Sequence, residues 1–430
     1  HTLSQKIVKM WELIRKFGLE HCDLPTMIWN VALMLRAVSL NIDSRHKSGI
    51  LPTTNIYYLF TIASAACYFY VYLVSMIWFV FWRCMETGNN LDALIVFSLG
   101  TASEIGPVKL IYMIIHTKQA RNIVTTSLAS DSLVVPESRF SKNLLKILRQ
   151  VKRRAIIFWL ILMGNGMLYV VKPFLMPGRN LMDDAFIYLG LEPMYESPNY
   201  EVALIVTIFG VMFTCYTTAN ISAFMIVNTG YVEAQMLSWS EELLNLWDDA
   251  DKHYSEYKIQ SIPNEEDVAN DLAEYKIRNS VMNEFVQSRL KDVIRGHARN
   301  LDLLQQIEGV YRGAIAIEFF ILIGGLVAEL LGGLENTYME LPFSFIQVAM
   351  DCLTGQRLTD ASEVFERAVF SCRWENFDNS NMKLVLVILQ NSQKTMRLSA
   401  GGLAILNFTS LMSIVRSIFS AYTTLRTTMT

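Results

Sequence analysis

Charge is scarce in this chain. Charged residues make up 18% of its 430 positions, against 52% apolar, whereas a soluble domain carries roughly 25% charge. That balance excludes a string of water-soluble domains. The formal net charge of −3 offers no field for nucleic acid. Cysteine is sparse too: Cys22, Cys67, Cys84, Cys215, Cys352 and Cys372 form no CxxC pair, and most sit in or beside apolar runs. They read as small core residues rather than a disulfide framework or a metal site. The six histidines are scattered without ligand spacing. HExxH, nucleophile-elbow and phosphate-loop motifs are all missing, so no enzyme, cofactor or metal centre is expected. Residues 1–20 are too polar for the apolar core of a signal peptide.

What the chain has in excess is apolar length. Runs of about 20 apolar residues match the thickness of a bilayer core, and only helices or closed barrels satisfy their backbone there. Seven such runs are placed at 57–84, 91–116, 155–177, 201–229, 311–334, 341–360 and 397–424. The fold class expected is all-α, a polytopic membrane protein of seven transmembrane helices. The stretch 24–42 is short and contains Arg36, so it is expected to be a re-entrant or interfacial amphipathic helix. Sequons at Asn220 and Asn407 fall inside spans, where glycosylation is not expected.

Lysine and arginine bias sets the orientation. The loop 117–154 carries nine basic residues, from Lys118 to Arg154, against Asp131 and Glu137. It is expected in the cytoplasm, with the basic amino terminus. The loop 178–198 has Arg179 against four acidic residues, and 335–340 is acidic; both are expected outside. Seven spans then put the carboxyl terminus outside, the reverse of a G-protein-coupled receptor.

The segment 230–305 is too polar to span. Its apolar residues recur at helical spacing (Leu272, Tyr275, Ile277, Met282, Phe285, Val286, Leu290, Val293, Ile294), with a break at Pro263. Helices four, five and six are expected to extend out of the membrane and pack there. This anchor docks subunits together or closes on its own chain. Within the spans, Glu104, Lys109, Lys172, Glu318 and Glu329 are the charged exceptions and functional candidates. Lys172 can snorkel, and Glu104 and Lys109 could pair. The last span carries a polar stripe, Ser413, Arg416, Ser417, Ser420, Thr423 and Thr424, that suits a water-filled pathway or hydrogen bonding between helices. No internal repeat supports a transporter.

The run MDCLTGQRLTDASEVFERAVFSCRWENFD (350–378) resembles the insect odorant receptor family in its Gly355, Gln356, Ser362, Val364 and Trp374. So do Gln393, the AGG within the last helix, and that helix's close with Ser417, Phe419, Ser420 and Leu425. The segment 191–243 resembles lepidopteran receptors of the sex-pheromone clade. Phe370 and Phe419 stand where the family shows Tyr, which puts hydroxyl roles there in doubt.

The resemblance implies the tuning subunit of an odour-gated, non-selective cation channel. Such subunits assemble with an obligate odorant co-receptor in a heterotetramer in the plasma membrane of sensory-neuron dendrites. The ligand is a volatile hydrophobic molecule, in this clade a long-chain unsaturated alcohol, aldehyde or acetate. It sits in the outer bundle among helices two, three, four and six. Projected onto this sequence, helix two offers Ile95, Phe97, Ser98 and Thr101. Helix three offers Met163, Gly166, Met167, Tyr169 and Val170. Helix four offers Leu204, Ile208, Phe209 and Met212, and helix six offers Phe343, Phe345, Ile346 and Met350. Ser98, Thr101, Asn165 and Gln347 are the candidate polar contacts. The pore falls to Ser417, Ser420, Thr424, Leu425 and Thr428. The domains expected are 1–56, an amino-terminal segment; 57–229, the ligand bundle; 230–310, the anchor; 311–360, helices five and six; 361–396, a second anchor segment; and 397–430, the pore helix and terminus. A homomeric gustatory-type channel and a transporter are the alternatives.

Overall fold

The computed structural model describes residues 11–12, 14–43, 54–260 and 271–429. Pro263 and Leu272's side chain fall outside this description. Among the described residues the fold is all-α apart from one hairpin of two-residue strands. Helix α1 is Leu24–Arg36, capped by Asp23, whose Oδ2 accepts from Thr26 N at 3.0 Å. Helix α2 is Ile56–Thr87, with π-helical turns at Phe69–Ser75 and Phe79–Arg83. Then come α3 (Asn90–Ile115), α4 (Thr117–Asp131), α5 (Arg139–Leu175), α6 (Asn199–Leu244), α7 (Leu246–Gln260) and α8 (Asp271–Gly332). Helix α9 is Glu340–Phe370 and α10 is Asn379–Ser392. The hairpin pairs β1 (Ser399–Ala400) with β2 (Ala404–Ile405), and α11 is Phe408–Met429.

Helix α6 is the axis of the bundle. It packs against α1, α2, α3, α5, α8 and α9, and its residues are buried without a break from Thr217 to Met236. A helix buried on every side shows no amphipathic stripe. Its polar side chains turn back on their own backbone: Thr217 Oγ1 donates to Phe213 O at 2.7 Å, Asn220 Nδ2 to Tyr216 O at 2.8 Å, and Asn228 Nδ2 to Phe224 O at 2.7 Å. Such bonds keep hydroxyls and amides satisfied away from water.

Among the described residues, five helices are long and apolar enough to cross a membrane: α2, α3, α5, α6 and α8. The sixth and seventh expected spans correspond to α9 and α11. The last differs from expectation. Residues 397–407 are not helical; Gly401 and Gly402, at φ 63° and 76°, close the hairpin, and the helix starts at Phe408. Two successive residues at positive φ suit the tight hairpin turn that glycine favours. The hairpin seats closely on α9, where a Cβ on Gly355 would lie 2.2 Å from Leu406 O. Gln356 Oε1 accepts from Phe408 N at 3.2 Å and so holds the first turn of α11.

Helices α6, α8 and α9 do run beyond their apolar portions and pack together, joined by α7 and α10. His297 of α8 stacks on Phe365 of α9, with centroids 5.0 Å apart. Arg373 Nη1 meets Asp248 Oδ1 at 2.7 Å, and Arg278 Nη2 meets Asp251 Oδ1 at 2.6 Å. Of the expected amphipathic face, Met282, Val286, Leu290 and Val293 are buried within the chain, whereas Tyr275 and Ile277 are exposed.

Candidate functional site

The outer part of the bundle encloses two adjoining cavities. The deeper, of about 40 Å³, is walled by Tyr72 of α2, Leu99, Ala102 and Ser103 of α3, and Asn165, Gly166 and Tyr169 of α5. Val211, Thr214 and Cys215 of α6, then Met339, Glu340 and Phe343, complete it. Above it lies a vestibule of about 280 Å³ with Leu91, Asp92, Ile95, Lys172, Asp183 and Tyr338 in its walls. Tyr169, Met339 and Glu340 belong to both cavities. They stand where the two cavities adjoin.

Local structure positions these groups. Tyr72 lies in the first π-helical turn of α2, and such turns shift the phase of a helix, often at functional sites. Asn165 Nδ2 donates to Met339 O at 2.9 Å, which ties α5 to the start of α9. Glu340 accepts from Ser98 Oγ at 2.8 Å. It is the one acidic side chain on the inner chamber, whose other walls are apolar or neutral polar. Lys172 holds its ammonium 5.9 Å from the centroid of Tyr338 at the vestibule wall.

The loop 176–198 closes the vestibule. Tyr188 hydrogen bonds with Thr207 Oγ1 at 2.6 Å, and its ring meets Phe186 at 4.7 Å. Asp183 Oδ1 accepts from Ala185 N at 3.0 Å, while Oδ2 is buried without a partner. Burial pushes the Asp183 carboxyl up to about 6, with nearby Lys172 acting the other way. Burial, then the adjacent Asp184 carboxylate, pushes the Tyr195 phenol up to about 12.

Of the residues expected to face the ligand, Gly166, Tyr169 and Phe343 line the inner chamber, and Ile95 lines the vestibule. Ser98 stands behind Glu340. Asn165 lines the chamber, whereas Gln347 is buried and donates to Phe343 O at 3.1 Å. Thr101 turns to α8 instead: a Cβ on Gly325 would come within 2.5 Å of its Oγ1. Val170 and Met350 are buried in the core, with Met163, Leu204, Ile208 and Ile346 packed against it. Met167, Phe209 and Phe345 lie on the outer surface of the bundle. Phe209 rests there edge-on against Phe60, centroids 6.0 Å apart. Phe97 and Met212 are half-buried and in neither cavity wall. Sequence reasoning missed Tyr72, Leu99, Ala102, Ser103, Val211, Thr214, Cys215, Met339 and Glu340. The signal for α6 was there, since 204, 208, 211 and 215 follow one helical face; the chamber lies deeper along it.

Helix α11 has three faces. Ile414, Ile418 and Ala421 pack on Leu326 and Val327 of α8. Phe408, Met412, Val415 and Phe419 form an exposed apolar stripe. Ser413, Arg416, Ser417, Ser420, Thr424 and Thr428 form an exposed polar one. Leu425 is also exposed but continues the azimuth of the packed face. The hydroxyls bond to their own backbone: Ser417 Oγ donates to Ser413 O at 2.9 Å, and Thr424 Oγ1 to Ser420 O at 2.9 Å. Among the described residues they reach no neighbouring helix.

The intramembrane charges also pair differently from expectation. Glu104 accepts from Tyr68 Oη at 2.6 Å, and Lys109 turns to Glu318, so the two do not meet. Glu329 accepts from Ser344 Oγ at 2.7 Å.

The profile of the family described as 7tm odorant receptor matches residues 89–419. No curated protein sequence matches the chain. Among solved structures, it is similar to the insect olfactory receptor OR5 of Machilis hrabei in complex with eugenol. That likeness has a TM-score of 0.70 at 12% identity, over 94% of this chain and 98% of that one. A second structure of the same receptor gives a TM-score of 0.69 at 11% identity, over 94% and 98% of the two chains. At this identity the likeness speaks for the fold.

Proposed function

The chain belongs to the 7tm odorant receptor family, a family of receptors and not of enzymes, and from that premise we propose that it is the odorant-binding subunit of a ligand-gated cation channel. The observation that supports this best is the pair of cavities divided by Tyr169, Met339 and Glu340. A ligand entering through the vestibule displaces that partition, and the partition belongs to α5 and to the start of α9. Helix α9 in turn holds the first turn of α11 through Gln356. Ligand entry and the pore helix are thus two ends of one packed path.

The ligand proposed is a volatile hydrophobic molecule, a long-chain unsaturated alcohol, aldehyde or acetate of the kind that serves as a moth sex pheromone. Apolar walls with one carboxyl and a few hydroxyls suit a chain with one polar end. The inner chamber, at about 40 Å³, holds little more than a water-sized group. A chain-like ligand therefore requires Tyr169 and Met339 to swing aside. The partner proposed is an odorant co-receptor subunit in a heterotetramer, in the plasma membrane of a sensory-neuron dendrite. There the exposed polar stripe of α11 faces the shared axis, and the basic loop 117–154 faces the cytoplasm.

The test is expression in oocytes with and without a co-receptor, challenged with fatty alcohols, aldehydes and acetates. Current in the pair alone is the expected result. Current from the chain alone would favour a homomeric gustatory-type channel, and saturable uptake without current would favour a transporter.

A further inference from the structure

At the opposite end of the molecule from the vestibule lies a larger cavity, of about 670 Å³, between the α4–α5 connection, the end of α6, and α8. Four arginines line it, Arg139, Arg289, Arg295 and Arg299, against three carboxylates. All three carboxylates are already engaged. Arg139 binds Glu242 through Nε at 2.9 Å and Asp249 through Nη2 at 2.6 Å. Asp292 pairs with Arg295 at 3.3 Å. That leaves two guanidiniums without a counter-charge among the described residues. Arg289 lies over the ring of Phe285, 5.4 Å from its centroid. Arg299 makes no ion pair among the described residues, and its Nε is buried with no hydrogen-bond partner there. In the same wall, Trp239 Nε1 is also buried without an acceptor.

Unanswered buried donors cost free energy, more so when charged. A planar guanidinium fork is matched best by a carboxylate or phosphate. The spacing narrows the choice. Arg289 and Arg299 are ten positions apart on α8, about 15 Å along the axis. One phosphate does not reach both, whereas a compact ligand with several phosphates does.

We propose that this cavity binds a polyphosphorylated anion, held by Arg289 and Arg299 with Trp239 as a further donor. The inference rests on the orientation that puts the loop 117–154 in the cytoplasm. There the ligand has two possible sources, a soluble inositol polyphosphate or the phosphorylated headgroup of an inner-leaflet lipid.

The experiment uses the full-length chain purified with its co-receptor in nanodiscs. In one arm the nanodiscs are phosphatidylcholine and inositol hexakisphosphate is titrated. In the other, phosphatidylinositol bisphosphate is a minor component of the nanodisc and nothing is added. Binding is read by thermophoresis and native mass spectrometry, neither of which depends on odorant gating. Binding in the first arm identifies a soluble ligand, and binding in the second alone identifies a lipid headgroup. Arg289→Gln and Arg299→Gln should each weaken binding by about tenfold or more. Arg299→Lys should recover part of the loss. Arg289 is exposed, so its variant tests the site without disturbing the fold. No binding in either arm, or binding unaffected by both glutamine variants, would overturn the proposal.

Discussion

Lys109 Nζ stands 2.8 Å from Glu318 Oε1 in the middle of the bundle, and the two side chains are 3% and 0% exposed. Asp351 Oδ2 is 3.8 Å from the same ammonium, and Ser222 Oγ accepts from it at 2.9 Å. One cation therefore joins α3, α6, α8 and α9. Removing one partner of a buried pair leaves uncompensated charge, at a cost of roughly 3–5 kcal/mol. Lys109→Met should lower the melting temperature of the purified channel and deplete it from the cell surface. Adding Glu318→Gln and Asp351→Asn to that variant should restore much of both. Normal surface levels for Lys109→Met alone would show that the triad does not hold these helices together.

Tyr169 and Phe209 give a paired test of the chamber. Tyr169 belongs to both cavity walls, so Tyr169→Ala should raise the half-maximal odorant concentration by about tenfold or more. Phe209 sits on the outer surface against Phe60, and Phe209→Ala should change it by no more than about twofold. The reverse order in dose–response curves would place the ligand elsewhere.

Thr424 lies on the exposed polar stripe of α11, its hydroxyl bound to Ser420 O. A leucine there gives up only the hydroxyl's bond to its own helix backbone and changes what the face offers to a central pathway. Thr424→Leu should reduce current or shift cation selectivity in reversal-potential measurements, with the half-maximal odorant concentration unchanged. A shift in odorant sensitivity with permeation intact would remove this face from the pore.

Asp183 predicts a pH dependence at the vestibule. Burial raises its carboxyl from 3.8 to about 6 in the folded protein. Between those values the folded state holds a proton that the unfolded state has released. Stability attributable to this group therefore falls as pH rises through that window, and the loss is complete above it. Moving from about pH 7 to about pH 5 should raise the melting temperature of the wild type more than that of Asp183→Asn. Equal shifts in the two proteins would mean that this carboxyl titrates as it does in water.

How much was legible differs from helix to helix. Apolar length placed α3, α5 and α6, because a run long enough for a bilayer is hard to mistake. It misplaced the start of α11, where two glycines in a Ser/Thr-rich run close a hairpin before the helix begins. The chamber was legible in its helices but not in its azimuth. On α5 the choice of Met167 beside Tyr169 took in an outward position, since both faces of that helix are apolar. On α6 the chamber face runs through 204, 208, 211 and 215, whereas the choice of Phe209 and Met212 followed a neighbouring azimuth, Phe209 being exposed on the outside. Glu340 and Met339 were missed for a different reason: they stand just before the apolar run, where polarity suggests only a loop end. The anchor helices were read from spacing alone, yet most of that apolar face is buried inside the chain.

Helix α8 has 62 residues, about 93 Å at 1.5 Å per residue, some three bilayer cores long. Glu318 divides it unequally, with about 70 Å toward Asp271 and about 21 Å toward Gly332. Treated as a rigid rod pinned at the Lys109 contact, it works as a lever of roughly three to one. A displacement of about 1 Å beside the vestibule becomes about 3 Å at the far tip. The far arm carries Arg289, Arg299 and the stack of His297 on Phe365. On that geometry, a shift too small to reshape the chamber beside Tyr169 is large enough to break and remake contacts at the other end.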